Sequence, residues 1–298
     1  MLTINHLEVT YGNYTALTID NPITFYPGDR IGIIGSNGAG KTTLIKAILG
    51  IVDYEGSIHS ELSPEQIAVH MQFNHYADTM HVKHIMETIL NTSIKKNKEL
   101  QELITFFEFH KCLNKKYSQL SGGQQQRMTI ILILMQKAEL VFFDEVTSGL
   151  DFETRQKLME LLTSWYKDHA STVCMVSHYY DELEQMVNKL LILDNGHIVD
   201  FGSKEDLFRK YCGNVIISME NSNKNQEVTK ELAKLAAPKH ELVISCQNKE
   251  EETKLVTTLI TKNINFKRST NDLEILYINA KENYQKQLSE NINNRTSA

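Results

Sequence analysis

The stretch Gly35-Ser36-Asn37-Gly38-Ala39-Gly40-Lys41-Thr42-Thr43 constrains this chain more than any other. It fits the pattern G-x-x-x-x-G-K-[ST], follows the apolar run Ile31-Gly32-Ile33-Ile34, which reads as a buried strand, and opens Leu44-Ile45-Lys46-Ala47-Ile48-Leu49, a helix closed by Gly50. A strand that delivers a glycine-rich turn into a helix is the context a phosphate-binding loop needs. The glycines let successive backbone N–H groups converge, and the helix N-terminus adds partial positive charge at the same point. Lys41 can then reach the β- and γ-phosphate oxygens, and the Thr42 hydroxyl can ligate Mg²⁺. The rival reading is a flexible glycine turn in front of a helix.

A chain of 298 residues has room for one large domain, or for one domain and a small appendage. A net charge of -6 with 23% charged residues advertises no strongly basic face, which disfavours nucleic acid as the main partner. No apolar run approaches the roughly 18 residues of a membrane span; the longest, residues 128–135, stops at Gln136-Lys137. The strand-like start Leu2-Thr3-Ile4 leads to the expectation of no signal peptide. Cys112, Cys174, Cys212 and Cys246 show no C-x-x-C spacing and read as reduced, mostly buried thiols of a cytosolic protein.

Residues 1–34 read as β-rich, with turns at Tyr11-Gly12-Asn13 and Tyr26-Pro27-Gly28-Asp29. Tyr11, at a strand end, can stack on adenine or simply pack. Further β-structure falls between Gly50 and Val69, with Gln72 at a strand end, and residues 81–109 turn helical. His70, His75, His81 and His84 lie in this region. The H-x-x-H pair His81/His84 lacks the further ligands of a four-coordinate site, so these histidines read as solvated or partly buried. In Leu120-Ser121-Gly122-Gly123-Gln124, Ser121 is a good N-cap and two glycines leave bare N–H groups at a helix start. That is either a second anion site or a plain capped helix. Leu140-Val141-Phe142-Phe143 reads as a buried strand ending in Asp144-Glu145, where open α/β sheets bind ligands. Asp144 can complete a Mg²⁺ shell and Glu145 can deprotonate a water, or the pair can cap a helix. Residues 172–176 form another buried strand, ending in Ser177-His178, and Asn195-Gly196 marks a hairpin.

Taken in order, these motifs resemble the ATP-binding cassette (ABC) ATPases, the nucleotide-binding subunits of ABC transporters, over about residues 1–210. Leu-Ser-Gly-Gly-Gln is the specific element, because it separates this family from other phosphate-loop proteins. The resemblance implies an α/β phosphate-loop cassette with a mixed, mainly parallel core sheet, an antiparallel β subdomain and a helical subdomain at about residues 76–135. It implies ATP and Mg²⁺ as cofactors, Tyr11 as the adenine-stacking ring and Gly35 to Thr43 as the Walker A loop. By the same resemblance Gln72 is the switch glutamine at Mg²⁺ or water, and Ser121 to Gln124 form the signature motif. Asp144 and Glu145 then become the Walker B aspartate and the catalytic carboxylate, Ser148 to Asp151 the dimer-contacting loop, and His178 the switch histidine. Two cassettes of this family pair head to tail, each covering the other's ATP, and dock on transmembrane permease subunits at the cytoplasmic face of the membrane. Val146 departs from the family, which usually has proline after the catalytic glutamate; hydrolytic competence is still expected.

The tail reads differently. Strands at residues 215–219, 241–246 and 273–278 and helices at 228–236 and 251–261 suggest a small α+β accessory domain over residues 211–280, with 281–298 a frayed polar tail. Residues 271–277 loosely resemble the end of ATPase subunits of ABC-2-type exporters, which implies export of peptides, toxins or drugs. The alternative is a soluble ABC ATPase acting on nucleic acid or a protein assembly. Cargo is chosen by the membrane subunits and is not written in this chain.

Overall fold

The computed structural model describes residues 1–71, 76–167 and 169–296. The chain opens with β1 (Leu2–Tyr11), β2 (Tyr14–Ile19), β3 (Ile23–Phe25) and β4 (Arg30–Gly35), then α1 (Lys41–Ile48), β5 (Glu55–Ser60) and β6 (Ile67–His70). Helices α2 (Val82–Ile89), α3 (Lys98–Phe106) and α4 (Gly122–Gln136) follow, then β7 (Leu140–Asp144), α5 (Phe152–Lys167), β8 (Thr172–Val176) and α6 (Tyr180–Met186). After β9 (Lys189–Asp194), β10 (His197–Ser203) and α7 (Lys204–Cys212) come β11 (Val215–Glu220), α8 (Asn223–Val228), β12 (Lys234–Leu235), β13 (Glu241–Cys246), α9 (Lys249–Thr261), β14 (Lys267–Ser269) and α10 (Leu273–Thr296).

Two compact units form, interleaved in sequence: Met1–Val9, Ile19–Gly32 and Thr42–His178 make one, and Thr10–Thr18, Ile33–Lys41 and Tyr179–Ala298 the other. In the first unit β1 pairs antiparallel with both β3 and β5. Its Leu2, Ile4, Leu7 and Val9 are buried, which is the alternation of a strand with one covered face. Strands β6, β7 and β8 run parallel, with Asp144 level with Val176. Every residue of β7 and β8 is buried, so both read as unbroken apolar runs, as parallel strands covered on both faces do. Helix α4 is buried all round from Met128 to Leu134 while its first turn is exposed, and its buried part packs on α3 and β6.

In the second unit β9 and β10 form the antiparallel hairpin expected at Asn195-Gly196, and β10 runs parallel to β2 at His197↔Thr18. A separate sheet has the order β12-β13-β11-β14. Val215, Ile217 and Met219 of β11 and Leu242, Ile244 and Cys246 of β13 meet Leu255 and Leu259 of α9 in one apolar cluster. The α/β class is as expected, and all four cysteines are buried and free.

The tail needs correction. Residues 273–278, expected as a strand, open α10, and the polar residues expected to fray continue that helix to Thr296. Asp272 Oδ1 accepts the Ile275 N–H at 3.1 Å as a cap, and Leu273, Leu276 and Ala280 bury one face at helical spacing. A six-residue stretch with a four-residue apolar run, residues 275–278, cannot separate the two periods by itself. The helix expected at 228–236 instead lies earlier, as α8, whose Ser222 cap accepts from Asn225 N, and residues 234–235 pair as β12. Residue 210, expected to end the cassette, lies inside α7.

Candidate nucleotide site

Strand β4 delivers the chain into the loop 35–40, and the loop is wound on itself: Ala39 N–H donates to Ser36 O at 3.1 Å. The Lys41 ammonium is folded back over this turn, donating to Gly35 O at 2.7 Å and to Ser36 O at 3.0 Å, and is only 7% exposed. A cation buried to this degree needs compensating acceptors, and the loop supplies two carbonyls. The wall behind the loop is the β9–β10 hairpin. A Cβ on Gly35 would stand 2.5 Å from Leu193 O, so only glycine permits that approach, and Gly196 N–H donates to Ala39 O at 3.3 Å.

Thr42 follows Lys41 in the chain and belongs to the other unit, where its Oγ1 donates to Asp144 Oδ2 at 2.9 Å. Asp144 ends β7 and is buried. Glu145, next along, has φ +53, a left-handed conformation uncommon away from glycine and found where a site holds backbone strain. Its N–H is pinned to Val176 O at 3.0 Å and its carbonyl accepts Ser148 N–H at 3.0 Å. Its Oε1 lies 2.9 Å from His178 Nε2, so the carboxylate is held by an imidazole N–H from the end of β8. Val146 is buried, and its carbonyl accepts from Gln126 Nε2 of α4. Gln126 carried no signal in the sequence; the contact is long-range and no motif marks it.

Ser121 and Gln124 form a reciprocal capping box, Gln124 N–H to Ser121 Oγ at 3.4 Å and Ser121 N–H to Gln124 Oε1 at 3.2 Å. Ser121, Gly122 and Gly123 are exposed, and a Cβ on either glycine would meet nothing within 4 Å. Tyr11, the last residue of β1, is 48% exposed. Asp151 caps α5, accepting Thr154 N–H at 3.0 Å and its hydroxyl at 2.8 Å, and the first of these bonds holds its carboxyl below the usual range. Gln72 and His75 lie outside the described residues. His70 is buried, and burial pushes its imidazole down to about 4. His81 Nδ1 is engaged by Asn114 O at 2.9 Å.

Among the described residues no three His, Cys, Asp or Glu side chains cluster as a metal cage. The pair that Thr42 and Asp144 form is two hard oxygens at hydrogen-bond distance. That donor set fits Mg²⁺, which is held by one or two protein oxygens together with substrate phosphates and water.

The strand, the glycine loop and the helix that follows have the form of a phosphate loop. Residues 20–148 match the profile of a family described as ABC transporter. The chain is 26% identical over 236 residues to the methionine import ATP-binding protein MetN of Lactobacillus delbrueckii subsp. bulgaricus, covering 70% of this chain and 67% of that one. It is 28% identical over 219 residues to the nickel import system ATP-binding protein NikE of Staphylococcus aureus (strain N315), covering 70% and 93%. Among solved structures, an ATP-binding subunit of an ABC transporter superposes with a TM-score of 0.63 at 21% identity, covering 71% of this chain and 93% of that one. A dimeric post-hydrolysis ATP-binding cassette bound to ADP and Pi superposes with a TM-score of 0.60 at 24% identity, covering 68% and 98%. Residues 20–148 thus resemble the ABC transporter family, and the solved ATP-binding cassettes share the fold of this chain.

Proposed function

We propose that the chain is the energy-supplying subunit of an ABC transporter. In this reading it hydrolyses Mg-ATP between two cassettes paired head to tail and docks on permease subunits carried by separate chains at the cytoplasmic face of the membrane. One observation carries the reading: the Thr42–Asp144 pair at the carboxyl end of β7 is one peptide bond from Lys41 in its glycine loop. Lys41 would exchange its loop carbonyls for β- and γ-phosphate oxygens, and Thr42 and Asp144 would hold Mg²⁺, with the switch role assigned from the sequence to Gln72. Mg²⁺ supplies charge neutralisation across the phosphates when ATP is bound. Glu145, with one carboxylate oxygen held by His178, offers the other to accept a proton from the attacking water. Tyr11 stacks on adenine, and residues 121–124 cap the γ-phosphate of the partner's ATP. The cassette takes up about residues 1–210 and the second sheet serves as an accessory module.

Among the described residues no helix is long and apolar enough to cross a membrane, which agrees with a need for separate permease chains. The export expected from residues 271–277 is not carried forward. That segment starts a helix, and the relatives compared above are named for import of methionine and of nickel. The test is Lys41→Ala. Calorimetry should show loss of ATP binding, and undiminished binding would refute the phosphate-loop assignment. Recovery of the wild-type chain from detergent-solubilised membranes with a hydrophobic partner supports the transporter reading, and a purely soluble complex with RNA contradicts it.

A further inference from the structure

Strand β9 ends on a carboxylate, Asp194, that is 2% exposed. A buried carboxylate must be paired, and its partners come from the far end of the chain. Lys281 Nζ lies 2.8 Å from Asp194 Oδ1, and Gln285 Nε2 donates to Oδ2 at 3.2 Å, where Asn195 Nδ2 also donates at 3.1 Å. Lys281 and Gln285 are four residues apart on α10, so one face of that helix presents both. Asp194 directly precedes the turn Asn195-Gly196, and this turn touches the phosphate loop. Gly196 N–H donates to Ala39 O at 3.3 Å and Gly196 O accepts Thr18 N–H at 2.6 Å. A Cβ on Gly40 would stand 3.7 Å from Gly196 Cα. At its other end α10 is fixed to α6, since Leu273 N–H donates to Glu184 Oε1 at 3.1 Å.

We propose that Lys281 and Gln285 are positioning residues for nucleotide binding, acting through Asp194 and the Asn195-Gly196 turn to hold the loop 35–41 open to phosphate. The proposal rests on the phosphate-loop reading of that loop. It makes α10, which follows the second sheet in the chain, a brace through which the state of the accessory module reaches ATP affinity. Lys281 is the stronger member, since it neutralises the Asp194 charge, and its ammonium is held above the usual lysine range by that bond.

The test is Lys281→Met in the full-length chain, with ATP affinity by calorimetry and turnover at saturating ATP measured on the same preparation. Coupling through packed and hydrogen-bonded groups of this kind shifts affinity by roughly 2- to 30-fold. The Kd for Mg-ATP should rise within that range, with kcat falling less than affinity. Lys281→Arg should restore binding. The double variant Asp194→Asn/Lys281→Met, which removes the buried charge with its partner, should bind more tightly than Lys281→Met alone. If Lys281→Met proves too unstable to assay, the double variant and Gln285→Ala still report, the latter with a smaller rise in Kd. Lowered thermal stability with an unchanged Kd in every variant overturns the proposal, because a merely structural ion pair predicts that result. A wild-type chain that binds no ATP overturns the phosphate-loop reading itself and takes the proposal with it.

Discussion

At the scale of single residues the site turns on Glu145. Its backbone sits at φ +53, a conformation that costs a non-glycine residue on the order of 1–3 kcal/mol, and it is kept there by hydrogen bonds to Val176 and Ser148 and by Gln126 on the next carbonyl. With valine at position 146, these neighbours fix the backbone of residue 145. Glu145→Gln keeps the size and the bond partner of the side chain but loses the proton acceptor. Turnover should fall about 10²- to 10⁴-fold, with ATP affinity within about twofold of wild type by calorimetry. Normal hydrolysis in that variant would remove Glu145 from the base role. Asp144, Glu145 and His178 were legible in the sequence because each ends a run of apolar residues. The 2.9 Å bond between Glu145 and His178, 33 residues apart, and the support from Gln126 were not. They arise from the level ends of parallel strands and a helix packed beside them, which no local pattern encodes.

At the scale of elements, the hairpin β9–β10 carries more than its turn signal suggests. Asn-Gly announces the turn, yet only the structure puts Gly196 against the phosphate loop. Gly196 has φ +78, and a Cβ there would stand 2.9 Å from Ala16 O, a backbone atom that cannot step aside. Gly196→Ala should therefore lower stability by roughly 1–3 kcal/mol and weaken ATP binding with it, measured by denaturant titration and calorimetry. A variant as stable as wild type with full affinity would show that the close approach is not needed. The helix α10 was misread for a related reason. Its first turn is a short apolar run whose period is ambiguous, and what settles it is the Asp272 cap and the buried face of Leu273, Leu276 and Ala280. The core strands β7 and β8, buried on both faces, needed no such help.

At the scale of the whole molecule, one chain holds one phosphate loop and one serine-glycine helix start, and the second is exposed with nothing near its glycines. In the proposed function this exposed, capped helix start receives the γ-phosphate of a second copy paired head to tail. Gly123→Asp puts a carboxylate into that open space, so the isolated chain should fold normally, bind ATP with wild-type affinity and still pair, while turnover is lost. Lys41→Ala fails for the opposite reason, retaining the helix start and losing the loop. Mixed one to one, half of the dimers contain one chain of each kind. Each of these holds one complete site, the loop of the Gly123→Asp chain covered by the helix start of the Lys41→Ala chain. Activity should return to about a quarter of wild type, read as phosphate release, although each variant alone is silent. Mixed dimers that demonstrably form by light scattering and yet hydrolyse nothing would rule out a shared site, because each still contains one intact loop and one intact cap that only head-to-tail pairing brings together.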